Sequence, residues 1–168
     1  MNPLILTLPP LPRQLPKTNA DWERLLNVFQ SWQTAIQNIG VPQSVPFDAA
    51  NFSGNGSMTW TVVSAGQAGF WYSLIGQLLV VNFDVSGTAG GTPDSQLLIT
   101  VPGNFTVLAG AINPVLVVTN GTAAIGYAFA SISTPKVIAV VNSAAGNVDW
   151  TAGTVEVYGQ IAFQVSPL

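Results

Sequence analysis

From position 41 onward the hydrophobic residues fall into short runs rich in Val, Ile, Thr and aromatics, separated by Gly, Asn, Ser and Pro. Branched and aromatic side chains suit a pleated, half-buried surface, and the separators end strands. The pattern predicts about eight strands: Met58–Val63, Phe70–Leu74, Gln77–Val85, Gln96–Val101, Val115–Thr119, Thr122–Ser131, Lys136–Val141 and Thr154–Val165. Met58, Trp60 and Val62 alternate with Thr59 and Thr61, which gives that strand one buried and one wetter face. Leu78–Val81 and Val137–Val141 are apolar throughout, as in strands covered on both faces, so something beyond a single sandwich has to cover the second face. Asn120-Gly121 is a strong two-residue hairpin turn because both positions tolerate positive φ, and Ile75-Gly76 can turn another. Eight antiparallel strands are the complement of a jelly roll. The expected fold is mainly β, a jelly-roll-like β-sandwich over residues 58–168 reached through a linker at 41–57.

The chain ahead of the strands has two other patterns. Residues 1–17 hold five of the twelve prolines, interleaved with Leu4, Ile5, Leu6, Leu8, Leu11 and Leu15. Such a segment is stiff, extended and cannot become a helix. Proline lowers the entropy lost on docking and the aliphatic side chains can fill a neighbour's pockets, so those six residues read as an anchoring arm; a disordered tail is the alternative. In residues 18–40, Thr18 or Asn19 can cap a helix, Asp21 and Glu23 suit its N-terminal end, and Gly40 with Pro42 can stop it. Trp22, Leu25, Phe29, Trp32, Ile36 and Ile39 recur at alternating spacings of 3 and 4, the seam of a coiled coil. The same stripe would also satisfy an amphipathic helix lying on its own β domain.

Composition turns this architecture toward assembly. Only 7% of the 168 residues are charged while 48% are hydrophobic. A lone monomer with so few charges exposes much apolar and small polar surface, which favours association into an assembly. The net charge of −3 and the lack of any Lys/Arg cluster argue against a nucleic-acid partner. No run approaches the ~18 apolar residues of a membrane span, so no membrane partner is expected.

Little catalytic chemistry is on offer. The chain has no histidine and no cysteine, which removes the commonest general base, the thiol nucleophile and the usual soft metal ligands. Asp48, Asp84, Asp94, Asp149 and Glu156 remain, at no spacing that joins two of them. The glycines of Gly87–Asp94 lack the Lys-Ser/Thr ending of a phosphate loop and read as a flexible strand connection. No enzyme activity, metal or cofactor is expected. Among the tryptophans, Trp60 and Trp71 read as strand core, and Trp150, in a loop after Asn147 and Asp149, is the candidate contact for a sugar ring.

The stretch Asn51–Val62, with Gly91-Thr92-Pro93-Asp94 and Ile99–Thr106 downstream, resembles trimeric β-sandwich domains of tailed-phage virion proteins. Those domains occur as capsid cement or decoration proteins and at fibre or spike tips. The resemblance implies a homotrimer on the outer surface of a virion, with the major capsid protein or another virion protein as partner. Capsid decoration is the leading expectation, and a short tail fibre or spike that contacts host surface carbohydrate is the alternative.

Overall fold

The computed structural model describes residues 18–37, 40–143 and 148–166. Its elements are α1 (Asn19–Gln37), β1 (Gln43–Ser44), β2 (Phe52–Gly54), β3 (Met58–Thr61), β4 (Gln67–Ile75), β5 (Leu78–Gly91), β6 (Leu97–Thr100), β7 (Thr106–Ala109), β8 (Ala111–Thr119), β9 (Thr122–Ser131), β10 (Thr134–Val141) and β11 (Gly153–Ser166). All strand pairings are antiparallel. The strand order is β1-β4-β5-β11-β8-β9-β10-β6-β2, with β3 added to β5 and β7 to β11.

Strand β5 runs beside β11 from Leu78↔Gln164 to Ala89↔Gly153, and together they form the spine of the sheet. Along both, alternate residues point inward: Leu79, Val81, Phe83 and Val85 from β5, and Val155, Val157, Ile161 and Phe163 from β11, all buried. The far end of the strand order returns to meet its beginning. The ring of Phe52 in β2 stands edge-on to Trp60 of β3 at 5.5 Å and lies 5.8 Å from Phe70 of β4. The sheet is therefore folded over on itself as a β-sandwich around one contiguous apolar core.

Each of the eight expected strands is present, and among the described residues the sheet has eleven because three were not foreseen. Strands β1 and β2 lie in the stretch read as linker, and β7 lies between two expected strands. Residues 41–57 are thus part of the sandwich, with Phe52 in its core. The glycine stretch is also corrected: Gly87–Gly91 continues β5 and pairs with β3 and β11 instead of forming a loose connection. The first hairpin turns at Gly76-Gln77, with Ile75 paired to Leu78. The second turns at Asn120-Gly121 with φ of 50° and 79°, the left-handed pair its sequence predicts.

Thr18 caps α1. The Asp21 amide donates to its hydroxyl at 3.2 Å, and its own amide donates back to the Asp21 carboxylate at 3.1 Å. Among the described residues no helix is long and apolar enough to cross a membrane. The arm residues Leu4, Ile5, Leu6, Leu8, Leu11 and Leu15, and Ile39 of the seam, lie outside the described residues.

Candidate functional site

Cross-strand partners in an antiparallel sheet point to the same side, so the register gives the outer surface directly. On β8-β9-β10-β6 one row runs Ile112, Phe129, Ala139, Leu98. A second runs Pro114, Tyr127, Val141, and a third pairs Leu116 with Ile125. Ile112 is 72% exposed, Ile125 60% and Leu116 42%. Ala139 and Val141 are buried although they stand outside the core cluster, beneath the larger neighbours of their rows. These three rows carry no charge; the single charged residue on the four strands, Lys136 near the start of β10, is exposed at their margin and its ammonium donates to the Asn104 carbonyl. The doubly apolar Val137–Val141 foreseen from the sequence belongs to this face.

Beyond the β8-β11 pairing, where Tyr158 stands beside Leu116, the surface is wetter. On β1-β4-β5-β11 one outward row reads Ser44, Trp71, Asn82, Gln160. The next reads Gly69, Asp84, Tyr158. Strand β4 bulges between Gln67 and Gly69, and a Cβ on Gly69 would lie 2.1 Å from Cζ3 of Trp71. The indole therefore lies down over Gly69, in space that only a glycine leaves, with 38% of the residue exposed. The Tyr158 hydroxyl donates to the Glu156 carboxylate. That bond, reinforced by burial and by the charges of Glu156 and Asp84, pushes the phenol up to about 12.

The tryptophan assignments exchange places. Trp150, expected to offer a sugar a stacking surface, is 1% exposed, and its amide donates to the Asp94 carbonyl at 2.9 Å. The ring is packed in the core, so the monomer offers no indole face there. Trp71, read as core, is the more open of these two. The sequence held a signal for this: Phe70, Trp71 and Tyr72 are consecutive in a strand, so Trp71 must oppose its two neighbours, which point inward. Trp60 is core as expected.

Around Asp94 the chain is tied rather than reactive. The Asn55 side-chain amide donates to both carboxylate oxygens, at 3.1 and 3.2 Å, and the Ser95 amide to one of them at 2.6 Å. The bond from Asn55, followed by those from Ser95 and Gln96, outweighs desolvation and holds the Asp94 carboxyl below the usual range. Among the described residues no group of three or more His, Cys, Asp or Glu could hold a metal ion.

On α1, Trp22 is 52% exposed and Leu26 57%, while Leu25 is half-buried. Phe29 is 47% exposed, and the side chains of Trp32 and Ile36 lie outside the described residues.

The chain matches no protein family. It also matches no curated protein. Among solved structures it is similar to the raptor adenovirus 1 fibre head in its beta-hairpin deleted form, at 12% identity over 70% of this chain and 99% of that one, with a TM-score of 0.34. A likeness that slight carries no argument, so the functional reading comes from this chain's own surfaces.

Proposed function

We propose that this chain is a non-catalytic structural subunit of the exterior of a tailed-phage particle, a homotrimer that decorates and cements the capsid. The observation that carries the reading is the uncharged outer face of β8-β9-β10-β6. Four strands at ~4.8 Å and eight residues at ~3.4 Å give it a footprint of about 19 by 27 Å, on the order of 500 Å². That is the same order as the ~800 Å² each partner contributes to a stable interface. A face with no charge suits a second copy of itself, because like surfaces then meet without repulsion and without unpaired buried ions. The exposed Trp22 and Leu26 of α1 add apolar surface that also gains from a neighbouring copy. The number three and the phage setting come from the sequence resemblance, and residues 1–17 serve as the anchor on the major capsid protein.

Light scattering tests the assembly. The expected mass is about 53 kDa, three times the 17.6 kDa chain. Ile112→Glu with Ile125→Glu should give a folded monomer, since both side chains are exposed in the isolated chain. A wild-type monomer at micromolar concentration overturns the reading. The role is tested on particles. A plug that binds the assembled shell must stabilise it by linkage, so depleted particles should release DNA at a lower temperature while those still intact adsorb normally. Unchanged heat stability with lost adsorption would make the tail-fibre reading the correct one.

A further inference from the structure

The open indole on the wetter part of the surface is a separate feature from the apolar face, and it does not depend on the oligomeric state. We propose that Trp71 is the stacking platform of a binding site for a neutral saccharide. A pyranose ring has an apolar face of C–H groups and a rim of hydroxyls, so a site for it needs a flat aromatic surface with hydrogen-bonding groups at its edge. Trp71 lies flat because Gly69 leaves room beneath it, a Cβ there falling 2.1 Å from the ring. Its row places the Ser44 hydroxyl on one side and the Asn82 amide on the other, with the Gln160 amide one strand further. These are groups that both donate and accept, as sugar hydroxyls do.

The second row sets the charge of the ligand. Asp84 and Tyr158 are cross-strand partners, and Tyr158 is bonded to Glu156. Asp84, one row and one strand from Trp71, can accept hydrogen bonds from hydroxyls and repels carboxylated or sulfated sugars, with the Glu156 charge a row further off. No Lys or Arg stands in either row to favour an anion. The platform also sits on a paired strand, next to its bulge, rather than on a loop, so its geometry is set before a ligand arrives.

The test uses the full chain with lactose, maltotriose, cellotriose and methyl α-mannoside, and with 3′-sialyllactose as the anionic comparator. Saturation-transfer NMR reports contact and tryptophan emission reports affinity. At least one neutral sugar should bind with a dissociation constant of about 1 mM, the range of a small open site. Trp71→Ala should weaken it roughly tenfold or more, Trp71→Phe less, and Gly69→Ala should also weaken it by pushing the indole off its seat. Trp71 is far enough out of the core that its variants should keep the wild-type far-ultraviolet circular dichroism and cooperative melting. The proposal is overturned if no neutral sugar binds at about 20 mM, if Trp71→Ala binds equally well, or if sialyllactose is preferred. Masses recorded on the same samples keep the two readings apart: a trimer without sugar binding overturns the platform alone, and a sugar-binding monomer overturns the trimer alone.

Discussion

Phe52 tests whether residues 41–57 belong to the sandwich or merely lead to it. It is 4% exposed and its ring touches Trp60 at 5.5 Å and Phe70 at 5.8 Å, joining the last strand of the order to the first layer. Truncating a buried Phe to Ala costs about 3–5 kcal/mol, the larger part of that range applying where the surroundings cannot collapse into the gap. Here the neighbours are two rings fixed on strands that both pair with β5, across from β2 and β6, and the edge-on pair with Trp60 adds to the loss, so Phe52→Ala should cost about 4–5 kcal/mol. For a chain of this size that lowers Tm by about 8–20 °C, from roughly 2–4 °C per kcal/mol. Trp60 and Trp150, 3% and 1% exposed, make tryptophan emission a direct report of core opening. Chain concentration has to be held constant, because an oligomer's melting depends on it. Phe47→Ala is the control: at 37% exposure it should cost less than ~1 kcal/mol. A Phe52→Ala loss as small as that control would refute the closure of the sandwich through β2.

Two further predictions concern pH. The Asp94 carboxyl is held low, chiefly by Asn55, so the stability it contributes is present above the unfolded value of ~3.9 and is lost as pH falls through the lower folded value. Denaturation midpoints followed from pH 5 down to pH 3 should fall less steeply in Asp94→Asn than in the wild type, and equal slopes would contradict the bonds drawn here. Tyr158 lies the other way: its phenol is raised to about 12, so its contribution is complete below ~10 and is lost as pH rises through the folded value. Burial raises Tyr72 as well, so phenolate absorbance should show two late tyrosines, of which only the Tyr158 phase moves back toward ~10 in Glu156→Gln; a profile unchanged by that substitution would remove Glu156 as the cause.

The sandwich was legible where local chemistry and tertiary structure agree. Val115–Thr119, Asn120-Gly121 and Thr122–Ser131 form a hairpin because β-branched runs flank a pair able to adopt positive φ. The additional strands were hidden for identifiable reasons. Strands β1 and β2 are two and three residues long, too short to display a period. They exist because β4 and β6 offer them partners. The extension of β5 through Gly87–Gly91 contradicts glycine's usual reluctance in strands. Pairing with β3 on one side and β11 on the other supplies the hydrogen bonds that outweigh it.

The two candidate surfaces differ in the same way. A largely uncharged outer face is favoured by a composition with 7% charged residues, but two all-apolar runs competed for it in the sequence, and only Val137–Val141 lies there, Leu78–Val81 belonging to β5. The tryptophans are harder because loop and strand are poor guides to depth. Trp150 is held down by a backbone bond to Asp94, which Asn55 in turn fixes, a contact spanning most of the chain. Trp71 lies open because two larger considerations win on its strand: Phe70 and Tyr72 take the inward positions, and Gly69 leaves a seat on the outside. An exposed Trp that had only lost the competition for the core would be expected to cover itself with long neighbours. Trp71 instead has Gly69 beneath it and Ser44 and Asn82 beside it, side chains too short to lie across its face. A flat indole with an uncovered face and polar edges is an arrangement suited to receiving a ligand.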